Sequence, residues 1–345
     1  MVVDASWRTE LERWLAPFLA GLSHPARRGM CPQYIVGQIG PDDRKSVQPM
    51  AARCGEVGYD QRGEVGYDQL HHFVVAGMWD SAPLQAALLK EADRLVGGTG
   101  AFLVIDDTAM PKKGSHSVGV APQYASSLGK NANCQALVSV TLASREVPVM
   151  VGLRLFLHES WTSDPENMAK AKVPADRPTA LTKPEIAIEE IDRVRAAGVR
   201  FGCVLADAGY GMSAPFRQAL SKRGLSWAVG IPYRHNDYAA DVAMIFPVSG
   251  HGRPRQRHIP DSMSVAAEKL LAEQPWRSVS WRRGTKGRLT ARLAAVRVRV
   301  ADGPTQRIRD MGTPAKNRHG NAPRHPKRSP PASSPPRQST PCHHR

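Results

Sequence analysis

Two apolar segments that each end in aspartate constrain the fold of this chain more than any other feature of its sequence. Residues 101–105 run directly into Asp106 and Asp107. Residues 201–206 run directly into Asp207. Short, unbroken apolar runs of this kind are typical of buried β-strands. Because ligands of open α/β sheets bind beyond the carboxyl ends of strands, the two segments predict carboxylates that converge from distant parts of the chain.

The surrounding sequence predicts an α/β fold with a helical N-terminal region. Apolar spacing predicts helices at residues 6–22, 45–53, 69–96, 183–197 and 214–222, and strands at residues 134–142, 148–157 and 226–231. Strands followed by a helix–strand–helix–strand order indicate an α/β domain. The predicted organisation is therefore a helical region over residues 1–98 followed by an α/β domain over residues 99–310.

The charge of the chain favours a polyanionic partner. Its net charge is +16 at pH 7. A Lys or Arg side chain near a phosphate releases condensed counterions, so a basic excess of this size is typical of proteins that bind nucleic acid. The alternative is a basic surface without a partner.

The composition changes abruptly after residue 310. Residues 311–345 contain seven Lys or Arg, eight Pro and no Asp or Glu. With almost no apolar side chains to bury, this basic, Pro-rich tail is expected to be disordered. A natural tail has this composition, and so does a shift of reading frame in a GC-rich gene, which is the interpretation we favour.

The sequence also indicates where the protein works. No run of 18 apolar residues is present, so no membrane span is expected. The N-terminal segment carries Asp4, Glu10 and Glu12 among its apolar residues, unlike a secretory signal peptide. The five cysteines are widely spaced and form neither a disulfide framework nor a zinc pattern. These features predict a cytoplasmic protein.

Aspartates at two strand ends suit metal-dependent phosphodiester chemistry. Mg²⁺ prefers a few carboxylates together with water and substrate phosphate. Two such ions about 4 Å apart can activate an attacking oxygen and stabilise a leaving one. The structural alternative is that Asp106, Asp107 or Asp207 caps a helix or makes a turn, as aspartates after strands commonly do.

Three other enzyme classes fit these segments less well. Phosphatases with an aspartyl nucleophile need one residue between two aspartates, whereas Asp106 and Asp107 are adjacent. The glycines of residues 209–214 have the outline of a dinucleotide loop, but no ribose-binding acid is placed for it. The same segment lacks the second glycine of a nucleophile elbow.

A polar segment over residues 112–135 follows the first aspartates. It is dense in Gly, Ser, Asn and Gln and carries Lys112, Lys113 and Lys130. Loops of this kind on a rigid scaffold are common functional sites, so these lysines are candidates for contacts to DNA phosphates. The alternative is a long surface hairpin.

Several of these motifs occur together in one family. They are DDT at residues 106–108, KKGSHSVGV at 112–120, QY at 123–124, GK at 129–130, NCQ at 133–135, VLADAGYG at 204–211 and WRRGTKGRL at 281–289. In combination, from about Arg27 to about Asp310, they closely resemble the bacterial insertion-sequence transposases of the DDE superfamily. The resemblance implies a ribonuclease-H-like catalytic domain with a β-rich insertion at about residues 235–305, preceded by a helical DNA-binding region.

The resemblance also assigns roles to individual residues. The first aspartate of the family lies on the first core strand before a threonine, which points to Asp107, with Asp106 as the alternative. The second family aspartate matches Asp207. Asp107 and Asp207 are therefore expected to bind Mg²⁺ (or Mn²⁺) and to be catalytic.

The third acid of the family is a glutamate on a late helix, and no segment of this sequence matches it. Since residues 311–345 contain no acid, the chain is expected to be C-terminally truncated or frameshifted. Such a chain would be inactive unless another acid, such as Glu268 or Glu273, completes the site.

The function that the resemblance implies is transposition of an insertion sequence, by metal-dependent cleavage and transfer of DNA strands at the element ends. The implied partner is double-stranded DNA of the element ends and of the target. The resemblance leaves open whether the protein forms a homodimer. The implied location is the bacterial cytoplasm, in association with the nucleoid. Two alternatives are a DNA-binding remnant without catalysis and a metal-dependent phosphohydrolase of small substrates.

Overall fold

A computed structural model describes residues 6–39, 45–56, 66–75, 80–144, 147–170, 172–173, 180–246, 258–285 and 287–301 of the 345-residue chain. Contacts divide the chain into two units, residues 1–235 and 236–345. The predicted basic tail lies outside the described residues, so its disorder stays a prediction. No described helix is both long and apolar enough to cross a lipid bilayer.

Helices form the N-terminal part of the first unit. They are α1 (Ser6–Ala20), α2 (Pro25–Ile39), α3 (Val47–Glu56), α4 (Tyr67–Val75) and α5 (Ala82–Val96). The helix predicted over residues 6–22 is confirmed by α1. The sequence did not predict α2, because two prolines and two glycines among its residues are poor helix formers. Buried Met50, Ala51 and Leu70 pack together between α2, α3 and α4.

The helical stretch predicted over residues 69–96 consists of two helices, α4 and α5. Pro83 lies in the first turn of α5, where its missing N–H group would have no helical partner in any case. The carboxylate of Asp80 accepts a hydrogen bond from the backbone N–H of Ala82 at 3.0 Å. Proline is costly inside a helix and favoured at its start, so a new helix begins at this point.

A six-stranded mixed sheet forms the centre of the first unit. Its strands are β1 (Phe102–Pro111), β2 (Ala121–Ala125), β3 (Lys130–Ala143), β4 (Pro148–Phe156), β5 (Cys203–Ala206) and β6 (Trp227–Val229), with a 3-10 turn at Ser126–Leu128. The strand order is β2-β3-β1-β5-β6, and β4 also pairs with β3. β1, β3 and β4 are antiparallel neighbours, whereas β5 is parallel to β1 and β6 is parallel to β5. This mixed arrangement confirms the α/β class predicted from the sequence.

Helices that follow β4 and β5 complete this unit. They are α6 (Glu159–Thr162), α7 (Pro165–Lys170), α8 (Lys183–Ala196), α9 (Ala208–Gly211) and α10 (Ala214–Lys222). α5 and α8 pack against β3 and β4, and α10 packs against α8. Their apolar faces form one core with the strands, which includes Leu103, Val140, Ile191 and Phe216. The N-terminal helical region therefore contributes α5 to the core of the sheet.

The beginning of α8 is fixed by a capping box. The Thr182 hydroxyl accepts a hydrogen bond from the backbone N–H of Glu185, and the Glu185 carboxylate accepts one from the backbone N–H of Thr182 at 2.8 Å. Two otherwise unpaired donors are satisfied in this way. The first residue after this cap is Lys183, so the cap fixes the backbone from which the Lys183 side chain extends.

The second unit contains short strands and one described helix. They are β7 (Asn236–Ala239), β8 (Met244–Ile245), β9 (Ile259–Pro260), β10 (Val265–Ala266), α11 (Ala267–Ala272), β11 (Arg277–Gly284), β12 (Gly287–Leu293) and β13 (Val298–Val300). β7 is the central strand of a three-stranded sheet with β10 and β13. β11 and β12 form a separate antiparallel hairpin, and β8 pairs with β9.

Candidate active site

The first two aspartates lie inside β1 and not after its end, which corrects the strand predicted over residues 101–105. β3 pairs with β1 along its whole length, from Phe102 to Pro111. The parallel neighbour β5 pairs with β1 only as far as Ile105. Asp106 and Asp107 therefore lie in the part of β1 that still pairs with β3 but no longer pairs with β5.

The alternation of side chains separates these two aspartates. Leu103 and Ile105 are buried in the core between the sheet and its helices. Since successive side chains of a strand point to opposite faces, Asp107 shares their face and Asp106 points to the other one. The Asp106 carboxylate accepts a hydrogen bond from the backbone N–H of Asp107 at 2.7 Å. The strand thus presents one of the two carboxylates, that of Asp107, to the helix-covered face.

Asp207 follows β5 directly and caps α9. Its carboxylate accepts a hydrogen bond from the backbone N–H of Tyr210 at 3.3 Å. The helix-capping role that the sequence left open is therefore realised. Packing requires a glycine at position 211, because a Cβ atom on Gly211 would lie 1.8 Å from the carbonyl oxygen of Gly230. This close approach of backbone explains Gly211 without a dinucleotide.

Tyr210 connects the two acids. Its hydroxyl donates a hydrogen bond to Oδ1 of Asp107 at 2.5 Å, and its backbone N–H donates to Oδ1 of Asp207. Burial raises the pKa of Tyr210 far above its ordinary value, and the charges of Asp107, Asp207 and Asp106 raise it further. Tyr210 therefore keeps its proton and acts as a donor. In the sequence, Tyr210 stands out only as part of the motif at residues 204–211, which gives no sign of this role.

Lys183 is the second group that holds Asp107. Its Nζ lies 2.5 Å from Oδ2 of Asp107, and the two side chains are 27% and 35% exposed. The same Nζ lies 5.5 Å from the centre of the Phe156 ring. Sequence analysis placed Lys183 at the start of a helix but gave no signal of its contact with Asp107. Together, Lys183 and Tyr210 engage both oxygens of the Asp107 carboxylate.

A cavity of about 760 Å³ adjoins these residues. Asp107 and Tyr210 line it together with Phe156, Glu159 of α6 and Lys183 at the start of α8. Acidic, basic and aromatic side chains therefore border one open space next to the candidate ligand Asp107.

The structure does not gather the three candidate DNA-contacting lysines around the acids. Lys112 directly follows β1 and Lys130 begins β3, while the side chain of Asn133 donates hydrogen bonds to the carbonyl oxygens of Lys112 and Gly114. At about 3.3 Å per residue, Lys112 lies about 16 Å along the strand from Asp107, and Lys130 lies farther still. Lys113 and Lys130 are exposed. A contact with DNA at these lysines stays a prediction.

The two acids can be compared with the ligands that divalent metal ions prefer. Asp107 and Asp207 offer hard carboxylate oxygens of the type that Mg²⁺ and Mn²⁺ accept. Among the described residues, no group of three His, Cys, Asp or Glu side chains could hold a metal ion. Two carboxylates would leave the other coordination positions of a Mg²⁺ ion to water and phosphate, which are ligands that Mg²⁺ usually keeps. Glu268 and Glu273 belong to the second unit, at α11 and its C-terminal cap.

Comparison with known proteins gives three findings. The sequence pattern that defines the DDE superfamily endonucleases matches residues 17–288. A probable transposase for insertion sequence element IS701 from Microchaete diplosiphon is 33% identical over 203 residues, which are 58% of this chain and 48% of that protein. The Drosophila P element transposase strand transfer complex is 11% identical, with a TM-score of 0.18 over 63% of this chain and 42% of that chain. The chain thus matches about half the length of its curated relative.

Proposed function

Because the chain belongs to the DDE superfamily endonucleases, we propose that it is the transposase of a DNA insertion sequence. The proposed reaction is the cleavage of DNA strands at the element ends and their transfer to a target. The observation that carries the proposal is that Tyr210 donates hydrogen bonds to both Asp107 and Asp207, and so links two acids from distant parts of the chain.

In the proposed reaction, a phosphodiester bond is broken by water, which releases a 3′-hydroxyl. That hydroxyl then attacks a phosphodiester of the target, so one P–O bond forms as another breaks. Bound Mg²⁺ or Mn²⁺ would activate the attacking oxygen and stabilise the leaving one. Asp107 and Asp207 would hold the metal, and Tyr210 orients both carboxylates through its hydroxyl and its backbone N–H.

Double-stranded DNA is the proposed partner. The net charge of +16 supports it, since phosphate binding by Lys and Arg is driven by counterion release. We assign DNA contacts to the helical region of residues 1–98 and, more weakly, to Lys112, Lys113 and Lys130. A homodimer and a location at the bacterial nucleoid belong to the same proposal.

A nicking assay tests the proposed function. The probe is a supercoiled plasmid that carries the DNA found on both sides of the coding sequence, incubated with Mg²⁺ or Mn²⁺. Without a third acid the full chain should give no product, and any relaxed or linear product that it does give should be lost after Asp107→Asn or Asp207→Asn. The matched control is Glu10→Gln, which removes one exposed negative charge from α1. Equal nicking by all four proteins would show that the two aspartates are not the catalytic acids.

A second candidate function is DNA binding without cleavage. It is favoured by the engagement of both Asp107 oxygens, since a carboxylate held by Lys183 and Tyr210 is not free to bind metal unless one of them moves. The same assay separates the two functions when DNA binding is measured in parallel. Tight binding without nicking in either metal would support the second function.

A further inference from the structure

The two groups that hold Asp107 differ in charge. Tyr210 is a neutral, buried donor at Oδ1, whereas Lys183 places an ammonium group at Oδ2. A divalent cation that binds Asp107 is repelled by a neighbouring positive charge but not by a neutral hydroxyl. Lys183 is therefore the group that conflicts with a metal ion at this carboxylate.

The Lys183 side chain has another place to lie. Its backbone is held by the capping box at Thr182, but its side chain extends beside the cavity of about 760 Å³. Its ammonium is already 5.5 Å from the centre of the Phe156 ring, within the range of a cation–π attraction. Glu159 lines the same cavity and offers a second carboxylate. When the Lys183 ammonium moves away from Asp107, the Phe156 ring and the Glu159 carboxylate therefore still offer it favourable contacts.

We propose that Lys183 is an internal counter-ion of Asp107, which a divalent cation displaces when it binds there. The inference rests on the proposed function, because that function makes Asp107 a metal ligand. Before metal binds, the ammonium neutralises a carboxylate that Tyr210 links to Asp207. When metal binds, the ammonium leaves Oδ2 for the cavity. Metal binding and the position of Lys183 are thus coupled, so that a change in one can be detected as a change in the other.

This coupling predicts how substitutions change metal affinity. Lys183→Met keeps a long side chain but removes both the ion pair and the positive charge. We expect the full-length variant to bind Mn²⁺ about twofold to fivefold more tightly than the wild type, since a partly exposed ion pair is broken in the wild type but not in the variant. Lys183→Arg keeps the charge and the contact and should bind Mn²⁺ no more tightly than the wild type.

In the experiment, each protein is titrated with Mn²⁺, and the concentration of free Mn²⁺ is measured by electron paramagnetic resonance. Lys90→Met is the matched control, because it removes an exposed lysine of α5 that does not line the cavity. In parallel, an amine-reactive reagent labels the wild type with and without saturating Mn²⁺, and the Lys183 peptide is quantified by mass spectrometry. We expect labelling of Lys183 to rise when Mn²⁺ binds and labelling of Lys90 to stay constant.

The outcomes separate this inference from the proposed function. If Lys183→Met binds Mn²⁺ no more tightly than Lys90→Met, or if Mn²⁺ leaves the labelling of Lys183 unchanged, the displacement is overturned although the metal site stands. If Asp107→Asn and Asp207→Asn bind Mn²⁺ as the wild type does, the ions bind elsewhere and the metal site of the proposed function fails first. Circular dichroism of each variant confirms that it is folded.

Discussion

Tyr210 donates its hydroxyl hydrogen to Oδ1 of Asp107 at 2.5 Å, although 103 residues separate the two in sequence. Because the Tyr210 side chain is buried, its ring is also part of the core, where it lies 5.6 Å from the ring of Phe216. The residue therefore combines a packing role with a polar contact at the candidate site. Substitution of the hydroxyl alone separates these two contributions.

We expect Tyr210→Phe to lower the free energy of unfolding by about 1.5–3 kcal/mol, the usual range for a lost hydrogen bond to a charged group. The ring remains, so core packing is kept. Urea denaturation measures the effect. Tyr124→Phe is the control, because Tyr124 is 61% exposed and the same change there should be nearly neutral. Equal midpoints for the two variants would contradict a stabilising contact between Tyr210 and Asp107.

The capping box of α8 gives a prediction with a defined pH dependence. The backbone N–H and then the hydroxyl of Thr182 lower the pKa of Glu185 below its ordinary value. A carboxyl group with a lowered pKa in the folded state stabilises the fold above its unfolded pKa and loses this effect as the pH falls through its folded pKa. Thr182→Ala should cost about 1 kcal/mol at neutral pH and less below about pH 4. Denaturation at both pH values measures this, with Thr182→Ser as a control that keeps the cap. A cost independent of pH would contradict the hydrogen bond from the Thr182 hydroxyl to the Glu185 carboxylate.

An ion pair joins Asp192 of α8 to Arg223, the residue that caps the C-terminus of α10. Arg223 donates to both oxygens of Asp192 at 2.7 and 2.6 Å, and these bonds lower the pKa of Asp192. Since Asp192 is about half exposed, Arg223→Met should cost only about 0.5–1 kcal/mol at neutral pH. That cost should disappear as the pH falls through the folded pKa of Asp192. Urea midpoints over a pH series measure it, and Arg94→Met, in an exposed pair within α5, should cost less. A larger cost at low pH than at neutral pH would argue against the pair.

The sequence allowed the position of Asp207 at the end of β5 and the α/β class to be predicted, because both depend on local runs of apolar residues. Sequence analysis missed Lys183 and Tyr210 as partners of Asp107. Their contacts join residues 76 and 103 positions apart, and no local pattern encodes such pairs. The extent of β1 was underestimated for the same reason. Its polar second half is held as a strand by pairing with β3, up to Pro111 opposite Cys134.

Salt dependence tests DNA binding and the role of the lysines near the β2–β3 hairpin. If about six phosphates are neutralised, log affinity should fall with log salt at a slope near −5. Replacement of Lys112, Lys113 and Lys130 by Met should make the slope shallower by up to about three. Deletion of residues 311–345 should also reduce the slope while some binding remains. Fluorescence anisotropy with a labelled duplex measures these slopes, and a wild-type slope near zero would remove nucleic acid as the partner.

The two adjacent aspartates of β1 differ in the face of the strand on which they lie. Asp107 lies on the face of Leu103 and Ile105 and contacts Lys183 and Tyr210. The alternation along the strand places the Asp106 side chain on the opposite face.

We therefore expect Asp107→Asn to abolish Mn²⁺ binding at the site and any nicking that the wild type shows. Asp106→Asn should keep Mn²⁺ affinity within about threefold, because only a neighbouring charge is lost. The pair is well matched, since both changes remove one carboxylate charge from the same strand. Mn²⁺ titration and the plasmid assay measure the two effects. Loss of Mn²⁺ binding in Asp106→Asn with retention in Asp107→Asn would assign the metal to Asp106 and would mean that Lys183 and Tyr210 hold a structural carboxylate.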